Sequence, residues 1–187
     1  MNKNKSEIIY LKNLVKYIKK ISSKDIDLIV NIFLEAKKNK KTIYICGNGG
    51  SAANANHISN DLMLGLNSKK FGFKIISLSS NIAQISCIAN DINYSNIFSH
   101  QLKILCSEGD VLIVLSGSGN SKNIIEAIKV ANRLNMHTLS ILGFEGGKAK
   151  KISKENIHFK INDMQISEDL QMVLFNSAMK KMQKFFP

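Results

Sequence analysis

The sequence predicts an α/β protein built on a parallel sheet, and three observations carry that expectation. Short apolar runs at 42–46, 73–78, 111–115, 137–142 and 157–161 alternate with segments whose apolar residues recur every three to four positions. The run Val111-Leu-Ile-Val-Leu115 is continuously apolar, the pattern of a strand covered by helices on both faces. The segments between runs are also long enough to hold the crossover helices that parallel strands require.

Two helical patterns come first, Ile8, Leu11, Leu14, Val15 and Ile18, then Ile26, Leu28, Ile29, Ile32, Phe33 and Ala36, and together they predict an N-terminal helical hairpin. Ser23 is placed as the N-cap of the second helix, with Asp25 and Asp27 in a first turn where the helix dipole favours negative charge. The strands and their crossover helices follow. A last helix is expected over 163–186, with Leu170, Val173, Leu174, Ala178 and Met182 on one face, ahead of the only proline, Pro187. No repeat, linker or break in composition divides the 187 residues. The reading is one domain: helices over 1–40, a doubly wound core over 41–162 and a closing helix over 163–187.

Composition narrows the function. At 44% hydrophobic the chain can fill a core, yet no apolar stretch reaches the roughly 18 to 20 residues of a membrane span. With its polar start, Met1-Asn-Lys-Asn-Lys-Ser-Glu7, this reads as a soluble cytoplasmic protein. The net charge of +12 raises nucleic-acid binding, but Arg133 is the only arginine. The lysine-rich patches at 16–20, 37–41 and 148–154 also lack interleaved aromatics for stacking bases, so that class is set aside. Cys46, Cys87 and Cys106, odd in number and embedded in apolar segments, are expected to be buried reduced thiols.

The chemistry lies in two loops, Cys46-Gly-Asn-Gly-Gly-Ser51 and Ser116-Gly-Ser-Gly-Asn-Ser121, each between a strand run and a helical pattern. Glycines let the backbone approach an anion, while amides at a helix N-terminus and serine hydroxyls donate to it without a cationic side chain. In an open parallel sheet such loops meet at the carboxyl ends of strands, so the pair is expected to grip one phosphorylated ligand from two sides. Neither loop is a dinucleotide or Walker loop: the first is not GxGxxG, Ser77-Leu-Ser-Ser80 stands where a ribose-binding acid would be, and no Gly-Lys-Ser/Thr ending is present.

The stretch from Cys46 to His57, Ile88-Ala-Asn-Asp91, Leu115 to Ser121 and Gly143 to Gly147 resemble, in that order, the phosphoheptose isomerase branch of the sugar isomerase (SIS) domain superfamily. The resemblance implies a five-stranded parallel sheet flanked by helices and a homotetramer with sites formed between subunits. It also implies interconversion of sedoheptulose 7-phosphate and D-glycero-D-manno-heptose 7-phosphate. Ser51, Ser116, Ser118 and Ser121 would hold the phosphate, and Asn48, Gly49, Gly50, Asn90 and Asp91 would line the sugar. Gly117 stands where the family usually has threonine, leaving only its backbone amide as a donor.

Aldose–ketose isomerisation needs groups that move a proton between adjacent carbons and their oxygens. The resemblance assigns this to a glutamate and a histidine. Asp61, one turn after His57, takes the glutamate's place with a carboxylate roughly 1 to 1.5 Å short, a shift that matters for proton transfer. Phe175 aligns with the histidine and Ser167 with a glutamine metal ligand; no histidine follows His158. Some family members bind zinc, but His57 and Asp61 alone make an incomplete ligand set. Glu168 and Asp169 are read as charges at the start of the last helix, with Glu168 also able to approach the sugar. His100 and His137 are expected without partners, His158 is placed on a strand pointing outward or inward, and all three are read as structural. Three functions stay open: a divergent sugar-phosphate isomerase using Asp61 or Glu168, a noncatalytic scaffold with a protein partner that resembles replication-initiator-associating proteins, and a sugar-phosphate sensor.

Overall fold

A computed structural model describes residues 6–64 and 72–186; the first residues of the polar start, Met1 to Lys5, and Pro187 lie outside them. The elements are α1 (Ser6–Ile18), α2 (Ser23–Lys38), β1 (Ile43–Gly47), α3 (Gly50–Leu64), β2 (Ile75–Ser77), α4 (Ile82–Asp91), α5 (Ser99–Leu105), β3 (Val111–Ser116), α6 (Lys122–Arg133), β4 (His137–Leu142), α7 (Ala149–Ile152), β5 (Glu155–His158) and α8 (Met164–Met182). Two 3₁₀ turns, Tyr94–Asn96 and Gln183–Phe185, complete them.

The five strands form one sheet in the order β2-β1-β3-β4-β5, and every pair is parallel. Alternate residues of β1 and β3 enter opposite cores, as the two-residue period of a strand dictates. Ile43, Ile45, Val111, Ile113 and Leu115 face Phe33, Leu62, Leu170 and Leu174 of α2, α3 and α8; Tyr44, Cys46, Leu112 and Val114 face Phe98, just before α5, and Leu102, Ile124 and Ile128 of α5 and α6. Between β1 and β3 the strand order reverses, and Gly47 pairs in register with Leu115. That reversal opens a crevice at the carboxyl ends of these two strands. Both glycine-serine loops leave the sheet there.

Several local expectations need correction. The N-cap of α2 is Ser22, one residue before the expected Ser23: its hydroxyl accepts from the Asp25 amide at 3.1 Å while the Asp25 carboxylate accepts from the Ser22 amide at 2.9 Å. A reciprocal box fixes the helix start. Asp27 lies beyond the first turn and pairs with Lys181 of α8. The helices α1 and α2 each pack on α8, because α8 carries apolar residues around most of its circumference. Tyr10 of α1 donates to the Asp169 carboxylate of α8, and that bond, with burial, pushes its phenol up to about 12.

Strand β2 is shorter than 73–78, and β5 runs from Glu155 to His158 rather than over 157–161. Both are edge strands, where polar residues are tolerated, so β5 begins at Glu155 and Asn156, outside any apolar run. Only Cys46 of the three free cysteines is buried, and burial raises its thiol strongly. Cys106 is half-buried. Cys87 is exposed on α4, where its thiol donates to Asp91 at 3.3 Å, and that bond raises its pKa.

Candidate functional site

After Leu115 the backbone leaves the sheet through Ser116, whose hydroxyl accepts from the Gly119 amide at 3.1 Å, and Ser118, whose hydroxyl accepts from the Asn120 amide at 3.2 Å. Gly119 makes the turn with φ +64, a conformation that L side chains rarely adopt. Ser121 then occupies the N-cap position of α6 without making a side-chain cap. Its hydroxyl and the amides of Lys122 and Asn123 are therefore left for an anion at the positive end of the helix dipole, the Ile124 amide being bonded to Asn123 Oδ1 at 2.9 Å.

These residues enclose a cup of about 70 Å³ lined by Asn48, Ser51, Leu115, Ser116, Gly117, Ser118, Ser121, Met164 and Glu168. Such a volume, on the order of two water molecules, suits one tetrahedral oxyanion and leaves the rest of a ligand outside. No cationic side chain lines it, so the donors are hydroxyls and backbone amides. Gly117 is where a threonine would be expected, and Met164 explains the difference. A Cβ on Gly117 would come within 2.5 Å of the Met164 sulfur.

Glu168 proves to be part of this cup and not a cap of α8. The α8 cap is Asp163, whose carboxylate accepts from the Ile166 amide at 3.0 Å. Glu168 lies a turn further on, and its Oε1 accepts from the Ser51 amide, at the start of α3, at 3.1 Å. A protein carboxylate thus occupies the Ser51 amide of α3. Ser51 contributes through its hydroxyl instead. That oxygen accepts from Gln171 Nε2 at 3.1 Å and still carries its own proton to donate. Gly50 permits this approach, since a Cβ there would lie 2.3 Å from the Glu168 carboxylate.

The first loop is tied to the second by a pair that sequence reasoning missed. Asn48 Nδ2 donates to Asn123 Oδ1 at 2.9 Å, and Asn123 Nδ2 returns a bond to Asn48 Oδ1 at 2.7 Å. Tyr94 adds a hydroxyl to the same Asn48 oxygen at 3.3 Å. The signal in the sequence was Asn123 itself, a buried amide two residues past the serine loop in an otherwise apolar helix face. Gln171 and Asn54 were missed as well: Asn54 Nδ2 donates to Gln171 Oε1 at 2.9 Å and completes the polar seam between α3 and α8.

Other expected site residues lie elsewhere. Gly49 supplies the positive φ, +55, of the first loop. Asn90 and Asp91 are exposed at the end of α4 and do not line the cup. Asn90 donates to Asp91 at 2.7 Å, and that bond, followed by the Cys87 thiol, lowers the Asp91 carboxyl. His57 and Asp61 form a pair at 3.1 Å on α3. At 1.5 Å rise per residue, Asp61 sits about 15 Å along that helix from Ser51. Phe175 is buried edge-on to Phe33, with ring centroids 6.4 Å apart. Ser167 is buried and donates to the Asp163 carbonyl at 2.7 Å.

The residues of one chain do not fit a zinc site. Among the described residues no three His, Cys, Asp or Glu side chains cluster as a metal site would require. His137, expected without a partner, has one, and His158 is also bonded. His137 meets Glu155 at 2.7 Å; His158 contacts Lys150 and the Phe144 carbonyl, each at 3.0 Å. No described helix is long and apolar enough to cross a membrane.

Comparison with known proteins extends this geometry. Over 124 residues the chain is 42% identical to the phosphoheptose isomerase of Helicobacter pylori, an alignment that takes in 66% of this chain and 65% of that protein. It is 39% identical over 132 residues to the phosphoheptose isomerase of Aliarcobacter butzleri, covering 71% of this chain and 70% of that protein. Among solved structures, the phosphoheptose isomerase of Neisseria gonorrhoeae superposes with a TM-score of 0.88 at 25% identity, covering 96% of this chain and 97% of that one. That of Francisella tularensis gives 0.91 at 20% identity, covering 98% and 100%, a likeness of fold. The family model described as SIS domain matches residues 9–143, which hold both loops and the strand-order reversal between them. The chain belongs to the SIS domain family.

Proposed function

We propose that this protein is a phosphosugar isomerase that interconverts sedoheptulose 7-phosphate and D-glycero-D-manno-heptose 7-phosphate, acting in the cytoplasm. The observation that carries the reading is the cup at the β1/β3 reversal, sized for one phosphoryl group, with serine hydroxyls and backbone amides as its donors and the Glu168 carboxylate on its wall engaged by the Ser51 amide. The names of the relatives supply the substrate class. The phosphate rests on Ser116, Ser118, Ser121 and the α6 amides, and the sugar extends over the rim toward Asn48 and Tyr94.

The chemical step removes a proton from the carbon next to the carbonyl, passes through an enediol, and returns a proton to the adjacent carbon. Asp61 is the base. Its carboxylate is held by His57 but lies too far along α3 to serve the cup of its own chain, so the working site is completed by a neighbouring copy in a homotetramer. The exposed apolar residues Ile8, Leu11 and Val15 of α1 support such an assembly.

In an NMR-monitored assay with sedoheptulose 7-phosphate, the wild-type protein is expected to form the aldose. Asp61→Ala should lower kcat at least a thousandfold while changing the sugar-phosphate Kd less than threefold. A second reading, a noncatalytic sugar-phosphate-binding scaffold or sensor, is favoured by Phe175, a buried phenyl ring that the resemblance aligns with the histidine of the family. Saturable binding without turnover in the wild type would establish that reading and overturn the isomerase.

A further inference from the structure

A second concave surface lies on the other side of the serine loop. Ser95, Asn96, Asn120, Lys122, Ile125, Glu126, Lys129 and Lys148 line a cleft of about 490 Å³ between α6 and the Tyr94–Asn96 turn. Many lysines on the other lysine-rich surfaces are bonded to protein groups. In the cleft beside Phe73, the ammonium groups of Lys37 and Lys41 are already bonded to the carbonyls of Gly72 and Glu108, each at 2.6 Å. Lys154 is bonded to the Met136 carbonyl at 2.8 Å, and Lys160 and Lys181 are paired with Glu145 and Asp27. Within the α6 cleft, Glu126 offsets Lys129 at 2.7 Å. Lys122 and Lys148 have no side-chain partner among the described residues, so their charge stands uncompensated in a concavity with a polar wall.

We infer that this cleft is a second anion site, distinct from the serine cup, for a small phosphorylated molecule of the phosphate ester or pyrophosphate class. Lysines act on such groups as mobile point charges, and a concave setting concentrates their field. Asn120 joins the two sites. Its amide donates to Ser118 Oγ, and its Oδ1 accepts from the Lys148 amide at 3.0 Å. An anion drawn in by Lys148 thus bears on the loop that shapes the cup. The site stands without the isomerase reading; only an effect on turnover rests on that reading.

The test is an amide NMR titration of the full chain with inorganic pyrophosphate, using the wild type, Ser118→Ala and the double variant Lys122→Gln/Lys148→Gln. Both lysines are exposed, and unchanged signals elsewhere would show that the double variant is folded. Saturable shifts at Ser95, Asn96, Lys122 and Lys148 are expected in the wild type and in Ser118→Ala. In the double variant the half-saturation point should rise at least tenfold, and a similar weakening is expected at about 1 M salt, where the screening length falls to about 3 Å. Shifts confined to 116–121, shifts spread equally over 16–20 and other lysine-rich surfaces, or a response that survives the double substitution would each overturn the proposal. A parallel titration with sedoheptulose 7-phosphate reports on the cup separately, so failure of the cup and failure of the cleft are told apart.

Discussion

Gly119→Ala is expected to destabilise the protein by about 2 to 5 kcal/mol, the sum of a left-handed backbone penalty and an overpacking term. Gly119 has φ +64, and a Cβ there would lie 2.1 Å from the Gly146 carbonyl oxygen. Backbone atoms cannot swing aside as a flexible side chain would. The two loops would have to separate, straining the bond from the Ala149 amide to the Gly119 carbonyl, 2.9 Å, and the bond from the Gly119 amide to Ser116 Oγ. Thermal unfolding should show a fall of roughly 5 to 20 °C, at about 2 to 4 °C per kcal/mol for a chain of this size. Sugar-phosphate affinity should drop at least tenfold. Gly49→Ala is the internal control. Its φ is +55 but nothing lies within 4 Å of the added carbon, so only the backbone penalty of about 1 to 2 kcal/mol applies. Equal losses in the two variants would mean that contact with the Gly146 loop is not what constrains the turn.

Glu168→Ala is expected to cost about 1 to 3 kcal/mol, the range for losing a charge-assisted bond at a helix N-terminus. The Ser51 amide would lose its acceptor, and α3 would lose the carboxylate that joins its first turn to α8. Calorimetry should record a melting temperature lower by roughly 3 to 10 °C. Glu168→Gln keeps an oxygen for the Ser51 amide and should recover more than half of that loss. If alanine and glutamine behaved alike, the charge rather than the acceptor would be what matters. If neither changed stability, the Ser51 contact would have no energetic weight.

The core of the fold was legible because its signals are local. Continuous apolar runs marked β1 and β3, and glycines with serines marked the turns that leave them. Edge strands were less legible: Glu155, Asn156 and His158 make β5 polar at three of its four positions, which no apolar-run criterion detects. Ser22 and Ser23 are equally good caps by residue type, and only the geometry of the Asp25 carboxylate distinguishes them.

In the site, the hydroxyls of the second loop could be read directly, because they fall within the six consecutive residues 116–121. The engagement of Ser51 by Glu168 spans 117 positions and depends on how α8 lies across α3. The reciprocal bonds of Asn48 and Asn123, 75 positions apart, are likewise products of packing. Cys87 was expected inside because its neighbours are apolar, yet α4 turns that residue outward. Asp61 and His57 were paired correctly by their four-residue spacing, but their distance from the cup along α3 emerges only when the helix is laid out in space.

Calorimetric titration of sedoheptulose 7-phosphate into the wild type and into Ser118→Ala tests the central claim, that the β3–α6 cup recognises the phosphate of a sugar phosphate. The account predicts saturable binding by the wild type and at least a tenfold weaker Kd for Ser118→Ala, with both proteins melting within about 2 °C of each other, as a change of under about 1 kcal/mol implies. Equal affinity in the two proteins, or no binding by the wild type, would contradict it.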